Sequence, residues 1–225
     1  MNITCLASGS SGNCYILTDD YGEQLILDAG VKSMYIKEAL KFSFKSVCGV
    51  LVTHGHRDHN LSADELEMYG LDVWKPYLIE GGRDKRTFGK YAVSSFPLEH
   101  DGEPCTGFLI KHIDGFKMLY LTDLEYSSFK FTSQKVDCML IECNYMQEYT
   151  ETTLSQFRHK VLGHMSLETC EEFVRVNKSE NLKNVILCHM NHVTCDARES
   201  VDRIKSIVGD AVNVTVAKPW KVVAL

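Results

Sequence analysis

The sequence predicts one α/β domain over residues 1–225, α+β in looser terms, in which stacked sheets are covered by helices. Three observations point there. A chain of 225 residues with 44% hydrophobic content can bury a sizeable core as one unit. Its first third is a series of short apolar runs of strand length, separated by turns rich in Gly, Ser and Asp. The remainder alternates strand-like runs with helix-like stretches, without repeats or a low-complexity linker.

Asn2 to Ala7, Cys14 to Thr18 and Gln24 to Asp28 read as an opening antiparallel sheet, broken at Ser8-Gly9-Ser10-Ser11-Gly12 and at Asp19-Asp20-Tyr21-Gly22. Val47 to Thr53 is a buried-strand run that leads straight into His54. Ser62-Ala63-Asp64-Glu65 has the spacing of a capping box, which predicts a short helix with Leu66 and Tyr69 on one face and Gly70 as its stop. Further strands are predicted at Tyr91 to Pro97, at Gly107 to Ile113 turning through Asp114-Gly115 into Lys117 to Thr122, and at Cys138 to Glu142. Ser166 is placed to cap a helix with Leu167, Cys170, Phe173 and Val174 on one face. A strand from Val185 to Cys188 then delivers His189. Asp196 and Glu199 open a last helix with Val201, Ile204, Ile207 and Val208 inward and Gly209 at its end.

Composition narrows the function classes. A formal net charge of −6 argues against a protein that binds chiefly by neutralising the phosphates of a long nucleic acid. The densest basic stretch, Arg83-Asp84-Lys85-Arg86 with Lys90 nearby, reads as a solvated loop, with phosphate binding as the alternative. No basic leader precedes an apolar run and no stretch is long and apolar enough to span a bilayer, so the expectation is a cytoplasmic protein with no membrane contact. Nine cysteines without a Cys-x-x-Cys pair are expected to be reduced and mostly buried.

The segment His54-Gly55-His56-Arg57-Asp58-His59 carries the chemistry, with three imidazoles and a carboxylate at the mouth of a strand. Neutral imidazole nitrogen and carboxylate oxygen are the donors zinc accepts, and a catalytic site keeps one position open for water. Alternation sends His54 and His56 to one side. The turn that follows sends Asp58 and His59 to a neighbouring position, so that two ions are served.

This segment matches the His-x-His-x-Asp-His signature of the metallo-β-lactamase superfamily, and the chain resembles that family through its other motifs in order. Leu27-Asp28-Ala29-Gly30 resembles the first motif, Leu98-Glu99-His100-Asp101 the third, Leu121-Thr122-Asp123 the fourth and Leu187-Cys188-His189 the fifth. The resemblance implies a four-layer αββα sandwich with two divalent ions, zinc or alternatively manganese. It implies His54, His56 and His100 on the first ion, Asp58, His59 and His189 on the second, Asp123 bridging both, and Asp28 orienting the cluster from behind. Histidine at position 56, where the family's diiron oxidoreductases carry glutamate, favours hydrolysis over redox chemistry. Asp123, where the true β-lactamases usually carry cysteine, suits attack on phosphorus by a water shared between two ions.

Leu140-Ile141-Glu142-Cys143-Asn144 and Gly163-His164-Met165-Ser166 resemble elements of the ribonuclease Z group. That resemblance implies that His164 faces the scissile phosphate and that Glu142 holds its tautomer; Asp28, Asp58, Glu142 and His164 are thus the candidate catalytic residues. Ala7 to Tyr15 resembles the start of the bacterial YycJ (WalJ) proteins, which are linked to DNA exonuclease activity. There Ser10, Ser11 and Asn13 are candidate substrate contacts, a plain tight turn being the alternative. Phage-encoded cyclic-nucleotide phosphodiesterases share the fold and a similar site. With an acidic chain and no long inserted arm for gripping tRNA, the reading is a hydrolase of small nucleotide phosphodiesters such as a cyclic mononucleotide. Nuclease action is the alternative, and a thioester or lactone hydrolase or a non-catalytic metal-binding module are weaker ones. Relatives with small-nucleotide substrates imply a homodimer, with the stretch from Tyr145 to Phe157 as a lid or a subunit contact.

Overall fold

The computed structural model of the chain describes residues 1–148 and 161–225. Two sheets lie face to face. The first has the order β13-β1-β2-β3-β4-β5 and comprises Lys221–Ala224, Asn2–Ala7, Cys14–Thr18, Gln24–Leu27, Val47–Leu51 and Val73–Trp74. The second has the order β12-β11-β10-β9-β8-β7-β6 and comprises Asn213–Val216, Asn184–Cys188, Cys138–Glu142, Lys117–Leu121, Cys105–His112, Tyr91–Leu98 and Lys85–Phe88. Among the described residues five α-helices cover them: α1 Ser33–Ala39, α2 Arg57–Asn60, α3 Ala63–Met68, α4 Leu167–Asn177 and α5 Ala197–Val208.

Strand periodicity explains the layering, because successive side chains leave a strand on opposite faces. From β2, Tyr15 and Leu17 enter the core between the sheets, whereas Cys14 and Ile16 pack outward with Ile36 of α1 and Leu66 of α3. From β10, Cys138 and Leu140 meet the same inter-sheet core, whereas Met139 and Ile141 pack with Phe173 and Val174 of α4 and Ile204 of α5. Both faces of these strands are therefore dry, which is why they read as continuous apolar runs rather than alternating ones. The result is the predicted helix–sheet–sheet–helix sandwich.

The helix caps predicted at Ser166 and Asp196 are present: Ser166 accepts from the Thr169 amide and Asp196 from the Glu199 amide. Three local expectations need correction. Ser62 makes no side-chain cap; its hydroxyl donates instead to the Val31 carbonyl, because the loop from β3 passes within reach. Tyr69 does not share the buried face of Leu66 but is exposed and stacks on Phe44, ring centroids 5.7 Å apart. The basic stretch is no loop: Lys85 begins edge strand β6, Arg83 lies over the Phe129 ring and Arg86 pairs with Asp72. Charged side chains on an exposed edge suppress unwanted strand pairing, which is reason enough for this composition.

No helix among the described residues is long and apolar enough to cross a membrane. All nine cysteines are free thiols, and only Cys48 is not fully buried. Of the predicted lid, Tyr145 is buried and bridged to Ser166, while residues 149–157 lie outside the described residues.

Strand direction places the site. Strands β3 and β4 run parallel to each other, as do β9, β10 and β11, and two antiparallel steps make β7 parallel to β9. The ends of these strands that deliver Asp28, His54, His100, Asp123, Glu142 and His189 thus share one edge of the sandwich. Isolated pairing of His54 with Cys105, and a Thr106 amide donating to the Thr53 carbonyl at 2.9 Å, join the two sheets there.

Candidate metal centre

The chain turns sharply at this edge. Asp28, Asp123 and His189 have φ of 59°, 49° and 50°, the left-handed region that Asp and His tolerate better than most residues. Each turn stops a strand and swings the side chain across its end. His54 arrives directly from β4, and the short helix α2 lifts Asp58 and His59 beside it.

Seven predicted ligands converge as two groups that share one residue. Ligand atoms of His54, His56, His100 and Asp123 lie within 4.8 Å of one another, and so do those of Asp58, His59, Asp123 and His189. Asp123 divides its oxygens between them. Its Oδ2 is 3.8 Å from His54 Nε2 and 4.0 Å from His100 Nε2, while its Oδ1 is 3.1 Å from His59 Nε2 and 3.4 Å from His189 Nε2.

The fit of a cation can be judged from two orphaned atoms. His54 Nε2 and His189 Nε2 are buried without a hydrogen-bond partner, a state that costs about 1–3 kcal/mol per group. Both face Asp123, and nitrogen and carboxylate oxygen are the donors that borderline divalent ions accept. The donor set of the buried His/Asp cluster accordingly fits a divalent metal ion.

Electrostatics differ between the halves. Burial, with neighbouring His59 second, drives the His54 pKa well below its ordinary value, so this ring is neutral. For His189 burial opposes the charge, but Asp123, Asp58 and Glu142 outweigh it and raise the ring to about 10. Burial likewise opposes ionisation of Asp123, yet His189 and His59 hold its carboxyl well below the usual range.

Behind the cluster the rings are aimed by partners on their far nitrogens, the usual way a protein fixes a ligand's tautomer. Asp28, fully buried, takes His59 Nδ1 at 2.7 Å on Oδ2, the Thr53 amide at 2.8 Å on Oδ1, and the Tyr120 hydroxyl. His100 Nδ1 lies 2.7 Å from the Gly163 carbonyl. Glu142 is also fully buried: its Oε1 is 2.8 Å from His164 Nδ1 and 3.1 Å from His189 Nδ1, and its Oε2 accepts from the Leu124 and Met165 amides. The expectation for Glu142 covered His164 alone; the structure joins it to the candidate ligand His189 as well.

Thr53, Tyr120, Asn144 and Ser8 were not foreseen. Asn144 Nδ2 lies 3.1 Å from His189 Nδ1, and Ser8 Oγ accepts from the His189 amide at 2.9 Å. No sequence signal marks Tyr120, an inward residue of β9; Asn144 and Ser8 lie inside motifs whose other residues carry the resemblance. Of the candidate substrate contacts, Asn13 is fully buried against His59, and Ser10 and Ser11 stand exposed at the tip of the turn without a hydrogen bond to the cluster.

Comparison with known proteins agrees with this geometry. The family model of the metallo-beta-lactamase superfamily matches residues 7–68. Exodeoxyribonuclease YycJ of Bacillus anthracis is 27% identical over 240 residues, covering 91% of this chain and 89% of that protein. The metallo-beta-lactamase fold protein YhfI from Bacillus subtilis superposes with a TM-score of 0.73 at 14% identity, covering 99% of both chains. Human tRNase Z, short form, superposes at 0.65 and 14% identity, covering 100% of this chain and 99% of the other. The N-terminal motifs thus match the model of the metallo-β-lactamase superfamily, and the fold is shared end to end with a solved metallo-beta-lactamase fold protein.

Proposed function

We propose that the chain is a dinuclear metal-dependent phosphodiester hydrolase acting on a small nucleotide such as a cyclic mononucleotide. The observation that carries this reading is His164. Its ring stands beside the two ligand groups and is tied through Nδ1 to Glu142, in a third cluster that also includes Asp123 and His189.

His54, His56, His100 and Asp123 would hold one ion and Asp58, His59, His189 and Asp123 the other, zinc or alternatively manganese. When bound, such ions acidify water toward a pKa of about 7 and neutralise phosphoryl charge. The protein's own groups do the rest. Asp58, with its carboxylate partly open to solvent, orients the attacking water for in-line approach to phosphorus. The burial of His164 opposes its charge, but Glu142 outweighs this and raises its pKa, so the ring carries a proton on Nε2 to give to the leaving oxygen as the P–O bond breaks. Asp28 keeps His59 oriented throughout.

Small substrates are supported by charge. The loops next to His100 and Asp123 carry Glu99, Asp101, Glu103 and Glu125, and the net charge is −6, an unfavourable surround for a long polyanion. A DNA exonuclease is the second reading, favoured by the sequence match to an exodeoxyribonuclease over nine-tenths of the chain. Cyclic nucleotides, linear dinucleotides, single-stranded and duplex DNA, and RNA should be assayed side by side with wild type and Asp123→Ala. Opening of a cyclic mononucleotide by wild type only is expected. A preference for polymer would replace the first reading with the second, and metal-loaded protein that turns over none of them would remove both.

A further inference from the structure

The turn between β1 and β2 touches the cluster on one side only. Ser8 Oγ accepts from the backbone amide of His189 at 2.9 Å and is itself steadied by the Tyr15 hydroxyl at 2.8 Å. The Asn13 amide donates to the Asp58 carbonyl at 2.7 Å, and Asn13 Nδ2 lies 3.3 Å from the same carbonyl, 3.1 Å from the Gly9 carbonyl and 2.8 Å from His59 Nε2. Asp58, His59 and His189 are the three residues that join Asp123 in one ligand group. The other group is aimed from elsewhere: His54 Nδ1 faces Thr53 Oγ1 and His100 Nδ1 faces the Gly163 carbonyl.

Close backbone packing fixes the turn against these ligands. The Gly30 amide donates to the Asn13 carbonyl and the Ala29 amide to the His59 carbonyl, both at 2.9 Å. A methyl group on Gly12 would sit 2.6 Å from the Gly30 carbonyl oxygen, and one on Gly30 would sit 1.6 Å from that of Asp58. Three backbone segments therefore meet with no room for a side chain between them, which transmits the turn's position to Asp58 and His59.

We propose that the Ser8–Asn13 turn frames one metal position selectively, with Ser8 and Asn13 as positioning residues for Asp58, His59 and His189 and no part in holding His54, His56 or His100. This rests on the two-ion reading above. The chemistry is consistent with an ion on His59 Nε2. Asn13 Nδ2 has two N–H groups for three acceptors, so when the ring's lone pair is taken it keeps the Gly9 and Asp58 carbonyls. Asn13 Oδ1 still accepts from the Gly9 amide at 2.9 Å, so the turn holds its shape.

The test is metal stoichiometry, not turnover. Metal-free full-length protein is titrated with zinc in competition with a chromophoric chelator, and bound metal is counted after dialysis. Wild type is expected to take two equivalents. Ser8→Ala with Asn13→Ala is expected to take the first equivalent with unchanged affinity and the second about 10- to 100-fold more weakly, the range typical for loss of groups that support ligands. Ser8→Thr, which keeps the hydroxyl, should retain wild-type binding, and Ser8→Ala alone serves if the double variant does not fold. Equal weakening of both equivalents, or of neither, would overturn the proposal while leaving the two-ion reading intact. A wild type that takes up one equivalent would overturn both.

Discussion

The ring of His164 stacks on that of His189, centroids 5.1 Å apart and planes 15° from parallel, with both Nδ1 atoms on the same oxygen of Glu142. One carboxylate therefore steadies both a metal-ligand candidate and a proton-donor candidate. The two roles can be separated by substitution.

His164→Ala should lower kcat by roughly 10²–10³-fold, the usual cost of one preorganised group at a reacting centre. Bound metal should stay at the wild-type level, because His164 is not needed by either four-residue ligand group. Glu142→Gln should reduce both kcat and metal affinity, the latter about 10- to 100-fold. Steady-state kinetics beside metal analysis would separate these outcomes; loss of metal in His164→Ala would make it a ligand instead.

Asp28→Asn should destabilise the fold by about 1–3 kcal/mol, since a fully buried side chain that now takes the Thr53 amide, the Thr53 hydroxyl, His59 and the Tyr120 hydroxyl would lose one accepting oxygen. Tyr120→Phe removes a single donor and should cost about 1 kcal/mol. Urea unfolding of the metal-free proteins checks the order; equal effects would contradict the placement of Asp28 as the hub.

Gly30→Ala should be among the most damaging small substitutions. The added methyl would meet the Asp58 carbonyl oxygen at 1.6 Å, backbone against backbone, so the ligand helix must shift, at a cost of 1–3 kcal/mol (roughly) or more. Gly22→Ala is the control: its φ of +87° is strained for alanine but nothing lies within 4 Å, so only the backbone penalty of about 1–2 kcal/mol applies. Thermal unfolding with metal counting should show that Gly30→Ala alone loses metal.

The raised pKa of His189 sets a pH dependence. In the metal-free protein, burial disfavours the charged ring but Asp123 and its neighbours raise it from 6.5 to about 10. A group raised on folding adds stability that is complete below its unfolded value and is lost as pH climbs through its folded value. Metal-free Tm should accordingly fall as pH rises from about 6.5 toward 7.5, below the range in which free thiols ionise. A cation takes the proton's place, so metal uptake should release protons and the loaded protein should show a flatter profile. A flat metal-free profile would refute the assignment.

What the sequence determined alone was whatever is encoded locally. Strand runs such as Cys138 to Glu142, the caps at Ser166 and Asp196, and the crowding of imidazoles and a carboxylate between His54 and His59 followed from spacing and side-chain chemistry within a few residues, whereas His100, Asp123 and His189 entered as candidate ligands through the family resemblance. Short edge strands such as Val73–Trp74 and Lys85–Phe88 were missed because a lone edge has little periodicity to read. Only the tertiary structure decided how the candidate ligands are held. It divided the oxygens of Asp123 between two groups, hung two rings on one oxygen of Glu142, and turned the Ser62 hydroxyl away from its helix. The physical reason is distance along the chain. Asp28 meets Tyr120 across 92 residues and Ser8 meets His189 across 181, and a hydrogen bond between groups so far apart exists only once the packing of two sheets has brought their strand ends together.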